Sequence, residues 1–366
     1  MIPGVIRVDE QLRQRLVQRL LDWFTSHRRD LPWRAAGPRD PYRVWISEAM
    51  LQQTRVATVI DYFQRFIRRF PDVASLAEAE QAEVLQLWSG LGYYRRARML
   101  HAGARAVQQL HAGRMPSTRA ELEALPGIGP YTAGAIASLA FDAPEALVDG
   151  NVERVFARLF GIEAAQASTA LKRQAWDVAR ALCPQRGAGA WNEALMELGA
   201  LVCTPREPKC ALCPLAGECA ASRAGRAAEL PLPRVRAAPL TVELEVLLLR
   251  SSGGLLFQQR PAGGRMAGLW ELPVRERVSP GAATRLHPAE WDPRLEQQRL
   301  IVREEESRLR PIRHSITCHR IRAEIVHGTI AAAPSGPVWA WRDREAALEL
   351  GLTGLTRKVL RSLAKE

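Results

Sequence analysis

One glutamate interrupts an apolar helical pattern, and its surroundings decide what chemistry it can do. Glu48 lies in WISEAMLQQT (residues 45–54), where helical spacing places it on the same face as Trp45 and Gln52. Ser47 is suited to cap a helical turn directly before it, which favours a solvated acid near a helix start. The alternative is a buried acid whose raised pKa lets it serve as a proton donor. The local pattern leaves both hypotheses open.

A second carboxylate stands just before a regular helical pattern. Asp149 is followed by Gly150 and Asn151 in ALVDGNVERVFARLF (residues 146–160). The ordinary structural role of an aspartate at such a position is a helix N-cap. The functional alternative is a carboxylate held at the mouth of a cleft.

Four of the six cysteines have the spacing C-x6-C-x2-C-x5-C: Cys203, Cys210, Cys213 and Cys219. Thiolates so close in sequence can surround one metal centre, either zinc or an iron–sulfur cluster. Zinc sites usually have two pairs of cysteines that are close in sequence, whereas here only Cys210 and Cys213 form such a pair. A chance group of buried thiols is the alternative. Cys183 and Cys318 are interpreted as core or incidental residues.

A glycine-rich connection lies in LPGIGPYTAGAIASLAF (residues 125–141). Gly127 and Gly129 allow a tight turn and a close approach of the backbone to a ligand. The amides of such a hairpin, with the N-terminus of the following helix, can hold a phosphate oxygen. A plain turn between helices is the alternative.

The charge of the chain favours a polyanionic partner. The formal net charge is +12 and the pI is near 10.1, which suits nucleic acid binding but also fits a generally basic proteome. Between Glu83 and Glu121 there is no acidic residue, and arginines alternate with Tyr93 and Tyr94. This composition suits phosphate contacts and base stacking, although a solvated basic helix would look similar. No signal-peptide or membrane-spanning pattern is visible, so we expect a soluble cytoplasmic protein.

The hydrophobic period changes along the chain. Helical patterns occur near residues 9–27, 55–70, 80–110, 118–141 and 169–201, and then the pattern becomes that of strands. TVELEVLLLR and GLLFQQRP predict a hairpin, and further strands near 313–330 and 337–342 precede two short helices. The sequence therefore predicts an all-α domain over residues 1–222, a linker over 223–240 and a smaller α+β domain over 241–366.

Six motifs carry a resemblance to a known family: LPWR (31–34), DPYRVWISEAMLQQTRVATVI (40–60), LWSGLGYYRRARMLH (87–101), LPGIGPYTAGAI (125–136), VDGNVERV (148–155) and WNEALMELGALVC (191–203). They closely resemble the MutY family of helix-hairpin-helix DNA glycosylases. The resemblance implies a [4Fe-4S] cluster on the four cysteines. It also implies that the substrate is double-stranded DNA in which adenine is mispaired with 8-oxoguanine or guanine. The resemblance further implies a monofunctional base excision repair enzyme, which we expect to be a monomer and, if bacterial, associated with the nucleoid.

Site residues follow from the resemblance position by position. Glu48 would protonate adenine at N7, Asp149 would stabilise the sugar cation, and Tyr131 and Asn151 would support them. The residues that match the lining of the flipped adenine are Trp33, Arg34, Leu51 and Glu193. The residues that match the wedge probing the opposite base are Gln53, Thr54, Leu91 and Tyr93. Gly127 and Gly129 would contact the DNA backbone.

Two alternatives to this function differ in chemistry. A bifunctional endonuclease III-like glycosylase/lyase needs an amine nucleophile just after the hairpin. Tyr131 occupies that position, and the first lysine of the chain is Lys172. A non-catalytic iron–sulfur DNA-binding protein would not need the pair Glu48 and Asp149.

The second domain resembles the start of a Nudix fold in GLLFQQRPAGGRMAGLWELP (residues 254–273). The following residues, VRERVSPGAATRLH, lack the glutamate-rich helix that a Nudix hydrolase requires, and REEE (303–306) is interpreted as a surface turn. The resemblance implies recognition of 8-oxoguanine by this domain. At the matching loop the chain has Ile316, Thr317 and Cys318 instead of Phe-Ser-His. Thr317 is the candidate for a hydrogen bond to the lesion.

Overall fold

The chain divides into two compact units in the computed structural model. The structure describes residues 8–34, 39–234, 238–251, 253–261, 266–277, 305–306, 310–316, 318–329 and 336–364. The first unit comprises residues 1–78 and 99–235, and the second comprises residues 79–98 and 236–366. The helical segment 79–98 therefore groups with the C-terminal part of the chain.

The described part of the first unit is built from helices, as predicted from the apolar period. They are α1 (Glu10–His27), α2 (Pro41–Leu51), α3 (Val56–Arg69), α4 (Val73–Glu78), α6 (Arg95–Leu110), α7 (Arg119–Glu123), α8 (Pro130–Phe141), α9 (Gly150–Leu159), α10 (Thr169–Leu182), α11 (Ala188–Leu201) and α12 (Ala220–Arg223). Of α6, only the part from Met99 onward belongs to the first unit. Helix α5 (Gln81–Trp88) belongs to the second unit. One core packs α1, α8, α9, α10 and α11 together, with Leu16, Phe156 and Trp191 almost fully buried in it.

Helix α2 corrects the prediction that Glu48 lies near a helix start. The helix begins at Pro41, and the Asp40 side chain caps it by accepting from the Tyr42 amide at 2.9 Å. Proline at the first helical position after an aspartate cap is a stronger start signal than Ser47. Ser47 instead donates to the Val44 carbonyl inside the helix at 2.9 Å. Glu48 consequently lies in the last turn.

The helical pattern predicted over residues 80–110 is interrupted. Helix α5 ends at Trp88 and α6 begins at Arg95. Gly90, Gly92 and Tyr93 between them have positive φ values of 106°, 74° and 49°. A left-handed backbone cannot continue an α-helix, so the chain forms a loop here.

The second unit contains a mixed sheet. Its strands are β1 (Leu240–Ser251), β2 (Gly254–Gln259), β3 (Trp270–Glu271), β4 (Val274–Arg277), β5 (Glu305–Glu306), β6 (Ile312–Ile316), β7 (His319–Thr329) and β8 (Trp339–Arg342). The central pair, β1 and β7, is parallel, whereas β1–β2 and β6–β7 are antiparallel hairpins. The helices Arg344–Ala347 and Gly354–Leu363 follow. The predicted strands and helices are confirmed, but part of REEE is strand β5, paired with β7, rather than a turn.

The segment predicted as a linker begins inside the first unit. The Leu230 carbonyl accepts from Arg158 Nε at 2.8 Å, and the Leu232 carbonyl accepts from the Gln166 amide at 2.8 Å. Leu230 is buried, and the boundary between the units falls after Val235. Apolar leucines within the Arg-rich stretch account for this packing. Among the helices of the described ranges, none is long and apolar enough to cross a membrane.

Candidate active site

Glu48 is a buried carboxyl group held by a tyrosine. Its side chain is 5% exposed, and it projects from the last turn of α2. The Tyr131 hydroxyl, from the first turn of α8, donates a hydrogen bond to Glu48 Oε2. Proline at the start of α8 and the preceding hairpin fix where Tyr131 emerges. The buried-acid hypothesis is the one that the structure supports.

Asp149 caps α9 and faces the same site. Its Oδ1 accepts from the amides of Asn151 at 2.9 Å and Val152 at 2.7 Å, and its Oδ2 accepts from Asn151 Nδ2 at 3.0 Å. The structural and the functional hypotheses for this aspartate are therefore compatible, because capping fixes the carboxylate where α9 begins. The positive end of the helix dipole also lies there.

The two carboxyl groups have different surroundings. Burial raises the pKa of Glu48 to about 7, and the negative charges of Asp149 and Glu193 act in the same direction. The hydrogen bond from Tyr131 and the charge of Arg34 oppose that rise. The pKa of Asp149 is also raised, because burial outweighs the opposing effects of three hydrogen bonds from Asn151 and Val152 and of the charge of Arg154. Glu48, with a pKa of about 7, is thus the group suited to carry a proton near neutral pH, whereas the hydrogen bonds to Asp149 favour its charged form.

Arg34 and Glu193 form a buried ion pair. Arg34 Nε donates to Glu193 Oε1 at 2.7 Å, with both side chains at most 8% exposed. Arg39 donates to both oxygens of Glu193, at 2.9 and 2.5 Å. Because the charges of Glu193 and Arg34 both act on Glu48, the predicted adenine pocket and the predicted acid belong to one site.

The sequence analysis missed Glu197, which orients Arg34. Glu197 is 1% exposed and accepts from Arg34 Nη1 at 3.2 Å and Nη2 at 3.1 Å. Arg29 Nε and Nη2 also donate to it, at 2.9 and 2.7 Å. Glu193 and Glu197 are one helical turn apart in the apolar helix α11, and this spacing of two acids was a signal in the sequence.

Arg154 is a second residue that the sequence analysis missed. Its Nη2 donates to Asn151 Oδ1 at 2.9 Å, which turns the amide Nδ2 of Asn151 toward Asp149. Nη2 also donates to the Gly199 carbonyl at 2.8 Å, and Nε donates to the Cys203 carbonyl at 2.8 Å. Arg154 lies one turn into α9 after Asn151, so a buried arginine beside the predicted pair was visible in VDGNVERV.

Other predicted residues of the first unit are Trp33 and three residues at the end of α2 or directly after it. Trp33 is 9% exposed and packs edge-on against Phe63. Leu51 is the last residue of α2 and is half-buried. Gln53 and Thr54 follow the helix rather than ending it. Gln53 is exposed and has a left-handed φ of 60°, one residue past the C-cap Gln52, where the helix has already ended.

The hairpin glycines have different structural roles. Gly127 has φ +81°, and a Cβ there would lie 2.6 Å from Met99 Cβ, so both the turn and the packing require glycine. Gly129 has an extended backbone, φ −99°, and a Cβ there would meet open space. A tight turn therefore does not require glycine at position 129. Its amide stands at the start of α8 with room for a ligand.

Three predicted DNA-contacting residues belong to the C-terminal part or to segment 79–98. Leu91 is 6% exposed and Tyr93 is 49% exposed, both in the loop between α5 and α6 of the second unit. Thr317 lies outside the described residues. Its neighbours Ile316 and Cys318 are half-buried and exposed, respectively.

The four cysteines line one cavity in the first unit. Cys203, Cys210, Cys213 and Cys219 all border it, together with Arg158 and Ala227. Arg158 Nη1 donates to Cys203 Sγ at 3.3 Å and to the Thr204 carbonyl at 2.7 Å, and Nη2 donates to the Pro205 carbonyl at 2.9 Å. Within the described ranges, no group of three or more His, Cys, Asp or Glu side chains is close enough together to bind a single metal ion. Four thiols around one cavity, with a buried guanidinium to offset thiolate charge, fit an iron–sulfur cluster.

Comparison with known proteins places the fold. Residues 46–181 match the HhH-GPD superfamily of base excision DNA repair proteins, and residues 245–362 match the NUDIX domain. A solved structure described as a thermostable thymine-DNA glycosylase is 30% identical, has a TM-score of 0.52, and is matched over 58% of this chain and 97% of its own. A non-covalent endonuclease III–DNA complex, 22% identical with a TM-score of 0.50, shares the fold over 60% of this chain and 99% of its own. The fold and site define an HhH-GPD superfamily protein with a second, NUDIX-type domain.

Curated relatives narrow the assignment within that superfamily. Adenine DNA glycosylase of Mus musculus is 41% identical over 304 residues, which are 69% of this chain and 59% of the relative. The Homo sapiens protein of the same name is 39% identical over 306 residues, 69% of this chain and 56% of the relative. This chain thus spans less than two thirds of the length of these relatives. Within the superfamily, the chain belongs to the MutY family.

Proposed function

We propose that the chain is a monofunctional DNA glycosylase that removes adenine mispaired with 8-oxoguanine or guanine. The observation that carries the proposal is a pair of buried carboxyl groups: Glu48, whose pKa is raised to about 7, and Asp149, which accepts three hydrogen bonds at the start of α9. Curated relatives named adenine DNA glycosylase support the choice of base. The substrate is double-stranded DNA, and the protein acts as a monomer in the cytoplasm, at the nucleoid if it is bacterial.

The general acid is Glu48. Adenine leaves poorly as an anion, so a proton must reach it as the bond between C1′ and N9 breaks. Glu48 donates that proton to N7, and the electron pair of the C1′–N9 bond passes to the neutral leaving base. The hydrogen bond from Tyr131 to Oε2 holds the carboxyl group, which leaves its other oxygen to face the base.

Asp149 stabilises the sugar. The oxocarbenium-like sugar carries positive charge at C1′, and a nearby carboxylate lowers the energy of that state. Three hydrogen bonds from the start of α9 favour the charged form of Asp149 and fix its position. Water then adds to C1′, because the chain has no lysine at position 131 that would attack in its place.

The flipped adenine enters a pocket formed by Trp33, Arg34, Leu51 and Glu193. Stacking on Trp33 and hydrogen bonds to the edge of the base are the usual means of holding an extruded nucleobase. Glu193 accepts from Arg34 and Arg39, so the pocket presents a fixed acceptor and fixed donors.

The DNA backbone and the opposite strand need further contacts. Gly127 and Gly129 hold a phosphate at the hairpin, while Gln53, Thr54, Leu91 and Tyr93 probe the base opposite adenine. The NUDIX-type domain recognises 8-oxoguanine, with Thr317 as a donor to the lesion. A [4Fe-4S] cluster on Cys203, Cys210, Cys213 and Cys219 orders the loop that follows α11.

The test is base release from duplexes with adenine opposite 8-oxoguanine, guanine or thymine. We expect release opposite 8-oxoguanine and guanine, and strand breaks only after alkali treatment. Strand cleavage without alkali, with a complex trapped by borohydride, would support a glycosylase/lyase instead. Tight duplex binding without any base release would support a non-catalytic DNA-binding protein.

A further inference from the structure

The loop between α5 and α6 has a left-handed backbone at three residues, and contacts with other segments stabilise this conformation. Within five residues, Gly90, Gly92 and Tyr93 adopt positive φ values of 106°, 74° and 49°. For tyrosine this left-handed conformation costs about 1 kcal/mol or more. The loop also carries Leu91 and the half-exposed Tyr93, two of the four residues proposed to probe the opposite base.

Both ends of the loop are fixed to one carbonyl of the second unit. Ser89 Oγ donates to the Leu352 carbonyl at 3.2 Å, and the Tyr94 hydroxyl donates to the same carbonyl at 3.1 Å. The Gly90 amide in turn donates to the Tyr94 hydroxyl at 3.2 Å. Ser89 and Tyr94 are each 5% exposed, so these hydrogen bonds form away from water. The first and last residues of the loop are therefore both bound to the Leu352 carbonyl.

A hydrogen bond from the half-buried Arg357 completes the anchor. Arg357 Nε donates to Ser89 Oγ at 2.9 Å. Arg357 lies in the first turn of helix Gly354–Leu363, whose cap, Thr353, directly follows Leu352. The Thr353 amide donates to the Trp270 carbonyl at 2.9 Å, so the anchor is tied to the sheet. The position of the loop thus depends on the NUDIX-type fold.

A second contact joins α5 and the first turn of α6 to the stretch GLWELP and the residue before it. Arg98 Nη1, in the first turn of α6, donates to the Ala267 carbonyl at 2.9 Å. A Cβ on Gly268 would lie 3.8 Å from the Leu85 side chain of α5. The segment that resembles a Nudix motif therefore serves here as a packing surface for α5 and α6.

We propose that the NUDIX-type domain positions the opposite-base probe, with Ser89, Tyr94 and Arg357 as positioning residues. This inference rests on the proposed function, because it assigns Leu91 and Tyr93 to the probe. Recognition of the opposite base and positioning of the Leu91 and Tyr93 part of the probe are then properties of one compact unit. Arg357 acts through Ser89 and Leu352 and does not touch the DNA.

The inference is tested with variants that remove single polar contacts. Arg357→Met keeps the length of the side chain and removes the hydrogen bond to Ser89, and Tyr94→Phe removes only the hydroxyl. Arg361→Met, on the exposed face of the same helix, is the matched control. Two quantities are measured: the ratio of single-turnover release rates opposite 8-oxoguanine and thymine, and the fluorescence of 2-aminopurine placed beside the opposite base. The fluorescence reports unstacking by the probe and requires only binding.

We expect Arg357→Met and Tyr94→Phe each to reduce the rate ratio by about fivefold, which corresponds to about 1 kcal/mol. The rise in fluorescence on binding should fall in parallel, while Arg361→Met retains both. Arg357→Lys should recover part of the loss, and the double variant Ser89→Ala with Arg357→Met should lose less than the sum of the single losses. A purely structural role would lower the thermal unfolding temperature without changing the rate ratio of the folded enzyme.

Unchanged ratio and fluorescence in folded Arg357→Met and Tyr94→Phe would overturn the inference. That outcome differs from failure of the proposed function, in which the unaltered chain binds the duplex but releases no adenine. If Tyr94→Phe does not fold, Arg357→Met with the Arg357→Lys recovery decides the question alone.

Discussion

The Tyr131 hydroxyl donates a hydrogen bond to Glu48 Oε2 and so joins the first turn of α8 to the last turn of α2. This contact fixes the orientation of the proposed acid, and it also acts on the pKa of Glu48. Burial raises that pKa to about 7, and the tyrosine hydrogen bond limits the rise because it stabilises the charged form. Tyrosine at this position therefore adjusts the acid, where a lysine would provide a nucleophile.

Adenine release should decline as the pH rises through about 7. Glu48 must carry a proton to act, so the single-turnover rate should be level below this pH and fall about tenfold per pH unit above it. Tyr131→Phe removes an interaction that lowers the pKa of Glu48, so the decline should move to higher pH. A pH–rate profile of both proteins checks this, and a decline that stays in place or moves to lower pH would contradict the assignment.

Asp149→Asn should separate capping from catalysis. Asparagine is as good an N-cap as aspartate, so the free energy of unfolding should change by less than about 1 kcal/mol. Adenine release should fall by about a hundredfold or more, because the amide lacks the charge that stabilises the sugar. Ser168 provides the matched control, since it caps α10 by accepting from the Leu171 amide at 3.2 Å. Ser168→Ala should cost about 1 kcal/mol of stability and leave adenine release intact.

Glu197 should contribute strongly to stability at neutral pH. Burial alone would raise its pKa, but hydrogen bonds from Arg29 and Arg34 outweigh this and lower the pKa to about 2. Glu197→Gln should destabilise the fold by about 3 kcal/mol at pH 7, because Arg29 loses its charged partner and Arg34 keeps only Glu193. Since the folded pKa is depressed, this contribution is complete above pH 4.5 and is lost as the pH falls toward 2. Denaturant unfolding of both proteins at pH 7 and pH 3 should show the difference shrinking, and an equal difference at both pH values would refute the explanation.

The iron content of the purified protein should depend on the cysteines that line the cavity. Cys213→Ala should lose iron and acid-labile sulfide, because a cluster loses one of its four thiolates. Cys183→Ala, which alters a buried thiol outside that cavity, should retain both. Metal analysis of the purified proteins distinguishes the cases, and zinc in place of iron with no sulfide would exclude an iron–sulfur cluster.

The sequence predicted the architecture well because the periods of its apolar residues are clear. The helical period before residue 220, the alternation in β1 and the turn between β1 and β2 correspond to elements of the structure. The helix start at Pro41 was missed because Ser47 was given the capping role that Asp40 fulfils. The break after Trp88 was missed because glycines within a helical period are ambiguous.

The candidate site was predictable only in part. Glu48 and Asp149 stand in distinctive local patterns, whereas Glu197, Arg39 and Arg154 matter through contacts with residues distant in sequence or on another turn. Arg39, for instance, reaches Glu193 across 154 positions of the chain. Burial of such a charge network follows from packing of α11 against other helices, and no local pattern encodes it.

Single-turnover adenine release by Glu48→Gln tests the central claim most directly. The substrate is a duplex with adenine opposite 8-oxoguanine, and binding of the same duplex is measured in parallel. Glutamine keeps the size of the side chain and can still accept from Tyr131, but it has no acidic proton to give. We expect no detectable adenine release with duplex binding within a few-fold of the unaltered chain. Release at the rate of the unaltered chain would contradict the assignment of Glu48 as the general acid.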